Sequence, residues 1–445
     1  MLEKIQELLN EKKYSEVKLI LSEQKFFDAA EILGALSDEQ LPLVFRILPK
    51  DTAADVFVYM DSDAQEKLIH AFSDRELKEV LSDLYLDDAV DMIEEMPSNV
   101  VKRILRTADA ETRKNINMLL QYPKDSAGSI MTTEYVSLKK DMTVEDAFKR
   151  IRQNGVDKET IYTAYIISAN RKLLGIVSAK TLLLSPMDCL VEDLMETNFK
   201  SVSTTEDKET VAELFMNYDL LALPVVDNEN RLVGIVTVDD AIDVLQDEAT
   251  EDMEAMAAIV PTDKPYMKTG VFETYLKRIP WLLILMLSAA FTGSIIRNYE
   301  EALSHGYVIL TAFIPMLMST GGNSGSQSSV SVIRSISLGE ITIKEIFPVI
   351  WKEIRVAFLC SITLAVVNFL KLLLIDKASL AVCAVVCATL VVTVFIAKVI
   401  GCTLPIITKC LKLDPAVMAS PFITTIVDAV SLVVYFQIAT SVLGI

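Results

Sequence analysis

Histidine is almost missing from this chain, with only His70 and His305 in 445 residues. That scarcity removes imidazole-based metal centres and Ser-His chemistry as organising themes. No Gly-x-Ser-x-Gly elbow, GxxxxGK[ST] loop or aspartyl-phosphate signature is present, so neither acyl transfer nor ATP hydrolysis is expected, and the chain does not read as an enzyme. The six cysteines form no CxxC pair; Cys383 and Cys387, one helical turn apart, read as packing residues in a reduced protein. No cleavable leader is expected either, because Met1 to Asn10 reads as a charged amphipathic helix. The N-terminal part is therefore expected on the side of synthesis, in the cytosol.

Charge is scarce in only one part of the chain. The net charge of −19 conceals 8 acids against 12 bases from Tyr275 onward, which leaves 53 acids against 30 bases before it. So acidic a first part is not expected to have a nucleic-acid partner. The basic part carries five apolar segments of spanning length: Pro280 to Ile296, Tyr307 to Ile333, Val356 to Ile375, Leu380 to Ile400 and Pro415 to Leu443. Lys277, Arg278, Arg334, Lys344, Lys352, Arg355, Lys409 and Lys412 fall on the side that holds the N-terminal part; Arg297 with Glu300 and Glu301, and Lys371 and Lys377 with Asp376, fall on the other. The positive-inside rule then predicts a multi-pass protein of the cell membrane with cytosolic N-terminal domains and an extracytoplasmic C-terminus.

The acidic part reads as two units. Up to about Tyr122, short amphipathic stretches alternate with Pro, Ser and Asp breaks, and Ser73-Asp74-Arg75-Glu76 is written as a capping box, which predicts an all-helical array. From Ser126 to Leu245 there is an internal repeat. Leu174-Gly175-Ile176-Val177-Ser178 recurs as Val233-Gly234-Ile235-Val236-Thr237, each after a turn, in an order of strand, helix, strand, strand, helix. With Leu223-Pro224-Val225-Val226-Asp227, the repeat resembles a tandem pair of CBS domains. That resemblance implies an adenine nucleotide, ATP or another, near Thr237 and Asp240. The first repeat has Thr181 where an Asp belongs, and Thr237 can equally be a helix cap.

After the repeat, Asp243, Asp247, Glu251 and Glu254 recur at i, i+4, i+8 and i+11, which places four carboxylates on one helical face. Like charges at that spacing repel, so either solvent or a hard cation such as Mg2+ is expected beside them. Asp87, Asp88 and Asp91 form a second acidic group at a helix start, where the helix dipole accounts for part of the pattern.

Two features stand out in the membrane part. Ser319-Thr320-Gly321-Gly322-Asn323-Ser324-Gly325-Ser326-Gln327 reads either as a tight helix-packing seam or, given its amides and hydroxyls, as the lining of a wet cavity with exposed carbonyls, the reading favoured here. Asp428 is the one charge in the last span, and a carboxylate there costs roughly 2.5–3.5 kcal/mol unless it faces a cavity, a cation or a basic partner such as Lys398. Asp414-Pro415, Pro421 and Thr424 precede it on the same oxygen-rich stretch.

Gly321 to Gln327, and Asp414-Pro415 through Pro421-Phe422 to Asp428, closely resemble the MgtE family of magnesium channels. The likeness covers the whole chain as a multidomain fold: an all-α superhelical domain (1–125), two α/β CBS domains (126–190 and 191–246), an acidic connecting helix (247–275) and a polytopic α-helical pore domain (276–445). It implies a homodimer in the lipid bilayer with one Mg2+ pore on the two-fold axis. Asp428, Gly321, Gly322, Asn323, Gly325, Thr424 and Asp414 would then line the pore. Asp87, Asp91, Asp243, Asp247, Glu251 and Glu254 would bind the regulatory Mg2+ that closes it. A secondary transporter of divalent cations coupled to H+ or Na+ is the alternative; five spans without an inverted repeat weigh against it.

Overall fold

The computed structural model describes residues 1–445 apart from 157, 263–265, 268, 300–307, 412, 419 and 444–445. Glu300, Glu301, His305, Tyr307 and Lys412 therefore lie outside the described residues. The chain divides into two units, Met1–Leu245 and Gln246–Ile445.

The first unit opens with short helices, from Leu2–Asn10 to Ala110–Leu119. Helices of this length are marginal alone, so they persist by burying one face each. Their shared core runs from Ile5 and Leu33 through Phe57, Leu68 and Ile104, and continues into Val211, Leu223 and Val236 of the second repeat. The expected capping box forms, with Ser73 and Glu76 satisfying each other's backbone amides, and Asp61 and Asp109 cap two further helices.

Each repeat folds as expected. Strands β1 (Val136–Leu138), β2 (Thr163–Ile167) and β3 (Leu173–Ser178) form one sheet, and β4 (Val202–Ser203), β5 (Ala222–Val226) and β6 (Leu232–Thr237) the other. In both, the first pair is parallel across a helix and the second antiparallel across a tight turn. The segment before each first strand crosses to the other repeat. Thr132 exchanges backbone hydrogen bonds with Ile235 at 2.8 and 2.9 Å, and Glu196 does so with Ile176 at 2.8 and 3.0 Å. This exchange locks the repeats together and fixes the position of Glu134.

In the second unit, helices Val271–Asn298, Ile346–Leu374, Leu380–Cys410 and Pro421–Leu443 are long and apolar enough to cross a membrane. A fifth, Ile314–Ser337, has the length, at 24 residues, but is rich in glycine and serine. Three helices overrun the predicted spans, starting at Val271 and Ile346 and ending at Cys410, because the amphipathic turns flanking the apolar stretch stay helical. Pro280 sits inside the first of them.

The glycine-rich segment is a continuous helix, not an irregular cavity lining. Its glycines are the packing seam. A Cβ at Gly321 would lie 2.7 Å from Thr393 Cγ2, at Gly322 2.8 Å from Thr424 Cγ2, and at Gly325 2.8 Å from Ile423 Cγ2. Gly401 lies against the backbone of Gly325, with no room for a Cβ. Gly401→Ala is thus expected to lower the thermal stability of the detergent-solubilised protein by about 1–3 kcal/mol through overpacking. Gly293→Ala, with nothing within 4 Å, should leave it unchanged.

Candidate functional site

Acids from four sequence segments meet in the first unit. The helix Leu86–Glu95 brings Asp87, Asp88 and Asp91; the crossing segment before β1 brings Glu134; the stretch before β2 brings Glu159; and the first turn of the helix after β6, Val238–Met256, brings Asp239 and Asp240. Asp87, Glu134 and Glu159 each present a carboxylate oxygen within 4.8 Å of the others, the one such trio among the described residues. Asp87 is 6% exposed, and its Oδ1, like Glu159 Oε2, is buried without a hydrogen-bond partner. The backbone N–H of Leu86 donates to Glu134 at 3.2 Å, and that of Glu159 to the carbonyl of Glu134 at 3.0 Å, so the trio is held by main chain.

The electrostatics agree with the geometry. Burial, then the charges of Asp240, Asp88 and Glu159, push the Asp87 carboxyl well above the usual range. Burial together with Asp240 raises Asp88 and Asp91 to about 7 each. Burial with Asp88 and Asp239 raises Glu159 to about 8. Burial also raises Asp240, to about 6, although Thr237 donates to it from both hydroxyl and backbone.

Such a cluster needs protons or a cation to stay together. Acids raised in the folded state hold protons that separated acids release, so between about pH 4 and about pH 8 the assembled cluster loses stability as pH rises. A divalent ion would replace those protons. Added Mg2+ is therefore expected to raise the Tm of the full-length protein markedly at about pH 8 and little at about pH 5.5. An equal shift at both values would count against a cation at this cluster.

The structure brings Asp87 and Asp91 together with Asp240, which the nucleotide pattern places elsewhere. Asp240 is bonded to Thr237 and shares its field with the acids of the helical domain. In the first repeat Ser178 accepts from the Thr181 amide as an ordinary helix cap. Glu134, Glu159 and Asp239 escape the sequence reading, because single acids in irregular segments carry no periodic signal.

The predicted acidic row lies on the helix Val238–Met256. Asp243 is exposed and adds to the field at Asp240. Asp247 and Glu251 are exposed, whereas Glu254 accepts from the Thr262 backbone at 2.9 Å and closes the turn after the helix. Asp252, off the predicted face, is also drawn into packing. It accepts from Ser337 at 3.3 Å, and burial together with Asp414 raises its carboxyl. Asp414, expected in the pore, caps the turn into the last helix by accepting from the Ala416 amide at 2.7 Å, with Asp252 as its acidic neighbour.

In the membrane helices the glycine-rich helix has two faces. Gly321, Gly322 and Gly325 are buried, while Ser319, Asn323, Gln327 and Ser331 are exposed at four-residue spacing, an uncovered polar row on a helix among apolar ones. Thr424 packs on Gly322 and Val427 on Gly321. Asp428, the next residue, is half-buried, with Oδ1 buried and unpartnered. Lys398 is not its partner; it is bonded to Ser328 and Glu353.

Comparison with known proteins agrees on the family. The pattern of the family described as "MgtE: Divalent cation transporter" matches residues 314–438, that of the "MgtE intracellular N domain" residues 24–125, and that of the CBS domain residues 127–187 and 191–247. The magnesium transporter MgtE of Thermus thermophilus is 33% identical over 438 residues, 98% of this chain and 97% of the relative; that of Bacillus subtilis is 33% identical over 439 residues, 98% and 95%. A crystal structure of the cytosolic domain of the Mg2+ channel MgtE in complex with ATP is 34% identical with a TM-score of 0.52, covering 55% of this chain and all of that one. With its helical N domain, tandem CBS units and multi-pass helical membrane region, this chain belongs to the MgtE family of magnesium transporters, which are not enzymes.

Proposed function

We propose that this protein is a homodimeric Mg2+ channel whose opening is controlled by cytosolic Mg2+ at the acidic cluster of its first unit. The uncovered row Ser319, Asn323, Gln327 and Ser331 carries the reading of the path. Polar side chains facing lipid are costly, so this row belongs against water or a second copy of the same row. A two-fold axis along it supplies both, and Thr424 and Asp428 on the adjoining helix add oxygens. Two Asp428 carboxylates sharing one path repel, and a divalent cation between them relieves the repulsion. Mg2+ sheds water reluctantly, which suits a few carboxylates and amides acting through its hydration shell. The glycines serve this path indirectly, by letting the three helices close on one another.

The CBS pair supports the same symmetry. Leu183 and Leu184 on the helix after β3, Ile242 on the helix after β6, and Tyr162 and Leu221 before β2 and β5 are large apolar side chains left exposed at corresponding places in the two repeats. A second chain would cover them. An adenine nucleotide near Thr237 and Asp240 belongs to the same reading, supported by the relative solved with ATP.

The test is Mg2+ flux into proteoliposomes holding the purified protein, with Mg2+ varied on the side of the acidic unit. Flux that follows the gradient, needs no H+ or Na+ gradient and shuts down as Mg2+ rises on that side is the expected result. Flux that follows an imposed H+ or Na+ gradient instead would establish coupled transport.

A further inference from the structure

Three membrane helices meet at a buried charged point that the proposed path does not use. Lys398, on the Leu380–Cys410 helix, is 4% exposed and lies 3.6 Å from Glu353 of the Ile346–Leu374 helix, whose side chain is 13% exposed. Between them sits Ser328 of the glycine-rich helix, 2% exposed. Lys398 Nζ donates to Ser328 Oγ at 3.2 Å, and the Ser328 hydroxyl donates to Glu353 Oε2. Glu353 lies seven residues inside its helix, in the amphipathic stretch that precedes Val356–Ile375, and Lys398 lies just before the end of Leu380–Ile400. Both are largely buried there, and neither snorkels to water.

Stability alone does not explain a buried ion pair, because removing two charges from water cancels most or all of their attraction. What such a pair supplies is a single geometry. Gly325 is three residues before Ser328 and Gly401 three after Lys398, and these two glycines touch backbone to backbone. The charged point and the glycine crossing are thus adjacent on the same helix pair. A slide or rotation of the glycine-rich helix would break both at once. Ser328 is on the buried face of that helix, and Asn323 and Gln327 are on the exposed one.

We propose that Ser328, held between Lys398 and Glu353, is a positioning residue that fixes the rotation of the glycine-rich helix and so aims its Ser319–Asn323–Gln327 row at the ion path. The proposal rests on the reading that this row lines the path.

The test is Ser328→Ala in the full chain, reconstituted in liposomes, with Mg2+ and Ca2+ uptake measured per folded protein. Ser328→Ala leaves the ion pair in place. Mg2+ uptake is expected to fall at least about fivefold and the Mg2+/Ca2+ ratio to change at least about threefold, with the yield of folded protein unchanged. The ratio does not depend on how many copies fold, so a merely structural residue would not move it. The double variant Lys398→Met, Glu353→Gln should show the same change of ratio without loss of thermal stability. Uptake and ratio within about twofold of wild type in Ser328→Ala would overturn the proposal whatever the double variant does. Asp428→Ala, run in parallel, separates the two readings. Normal flux there removes the path reading itself, whereas lost flux there with unaltered Ser328→Ala overturns the clamp alone.

Discussion

Replacing Asp428 with alanine is expected to cut Mg2+ uptake into proteoliposomes by at least about a hundredfold while the protein still assembles and folds. The carboxylate is half-buried, one of its oxygens has no hydrogen-bond partner, and Lys398, the one lysine inside a neighbouring span, is committed to Ser328 and Glu353. An unpaired acid at membrane depth costs roughly 2.5–3.5 kcal/mol, so its removal relieves the fold instead of weakening it. Lost flux with unchanged or raised thermal stability is then the signature of a residue kept for its charge. Asp428→Asn retains the shape and a polar oxygen, and should lose nearly as much if charge is what the cation needs. Uptake at the wild-type level in Asp428→Ala would move the path elsewhere.

Deleting residues 1–245 should leave a protein that conducts Mg2+ but no longer shuts as Mg2+ on the cytosolic side rises into the millimolar range. The acids raised by burial and by one another, Asp87, Asp88, Asp91, Glu159 and Asp240, all lie in the deleted part. A ligand shifts a two-state equilibrium only by its difference in affinity for the two states, and several weak sites can add up to a shift that one cannot make. In the full chain, Asp87→Asn with Glu134→Gln and Glu159→Gln removes the trio that converges within 4.8 Å. That variant should need at least about tenfold more Mg2+ for half-closure, about 1.4 kcal/mol of lost coupling. It should also stay folded without Mg2+, because the repulsion is gone. If the truncated protein closes with the wild-type Mg2+ dependence, regulation resides in the membrane unit.

Several elements are legible without coordinates because their physics is local. The capping box at Ser73 and Glu76, the β-strands of the two repeats and the apolar lengths of the membrane helices follow from neighbours within a few residues. Asp87 and Asp91 are legible for the same reason, being one turn apart. Glu134 and Glu159 are not. Their convergence on Asp87 depends on the strand exchange between Thr132 and Ile235 and on the backbone bond between Glu159 and Glu134, contacts over long sequence separation. Asp252 was hidden by a different cause. Periodicity selects Asp243, Asp247, Glu251 and Glu254 as a face, but it does not say which face meets a neighbour, and Ser337 and Asp414 meet the other one.

The glycine-rich stretch shows the same division. Composition alone requires a segment with little side-chain bulk and many polar groups, and it admits both a packing seam and a wet lining. The fold assigns the two roles to opposite sides of one helix, because only glycine lets Gly321, Gly322 and Gly325 approach Thr393, Thr424 and Ile423, and that approach turns Asn323 and Gln327 outward. By itself, then, the order of residues determined the domain kinds, the membrane character and the lone intramembrane Asp428, since composition, length and short-range spacing carry those. Which acids converge, which lysine is paired and which side of a helix is left uncovered were decided by tertiary structure, because each depends on atoms brought together from segments tens of residues apart.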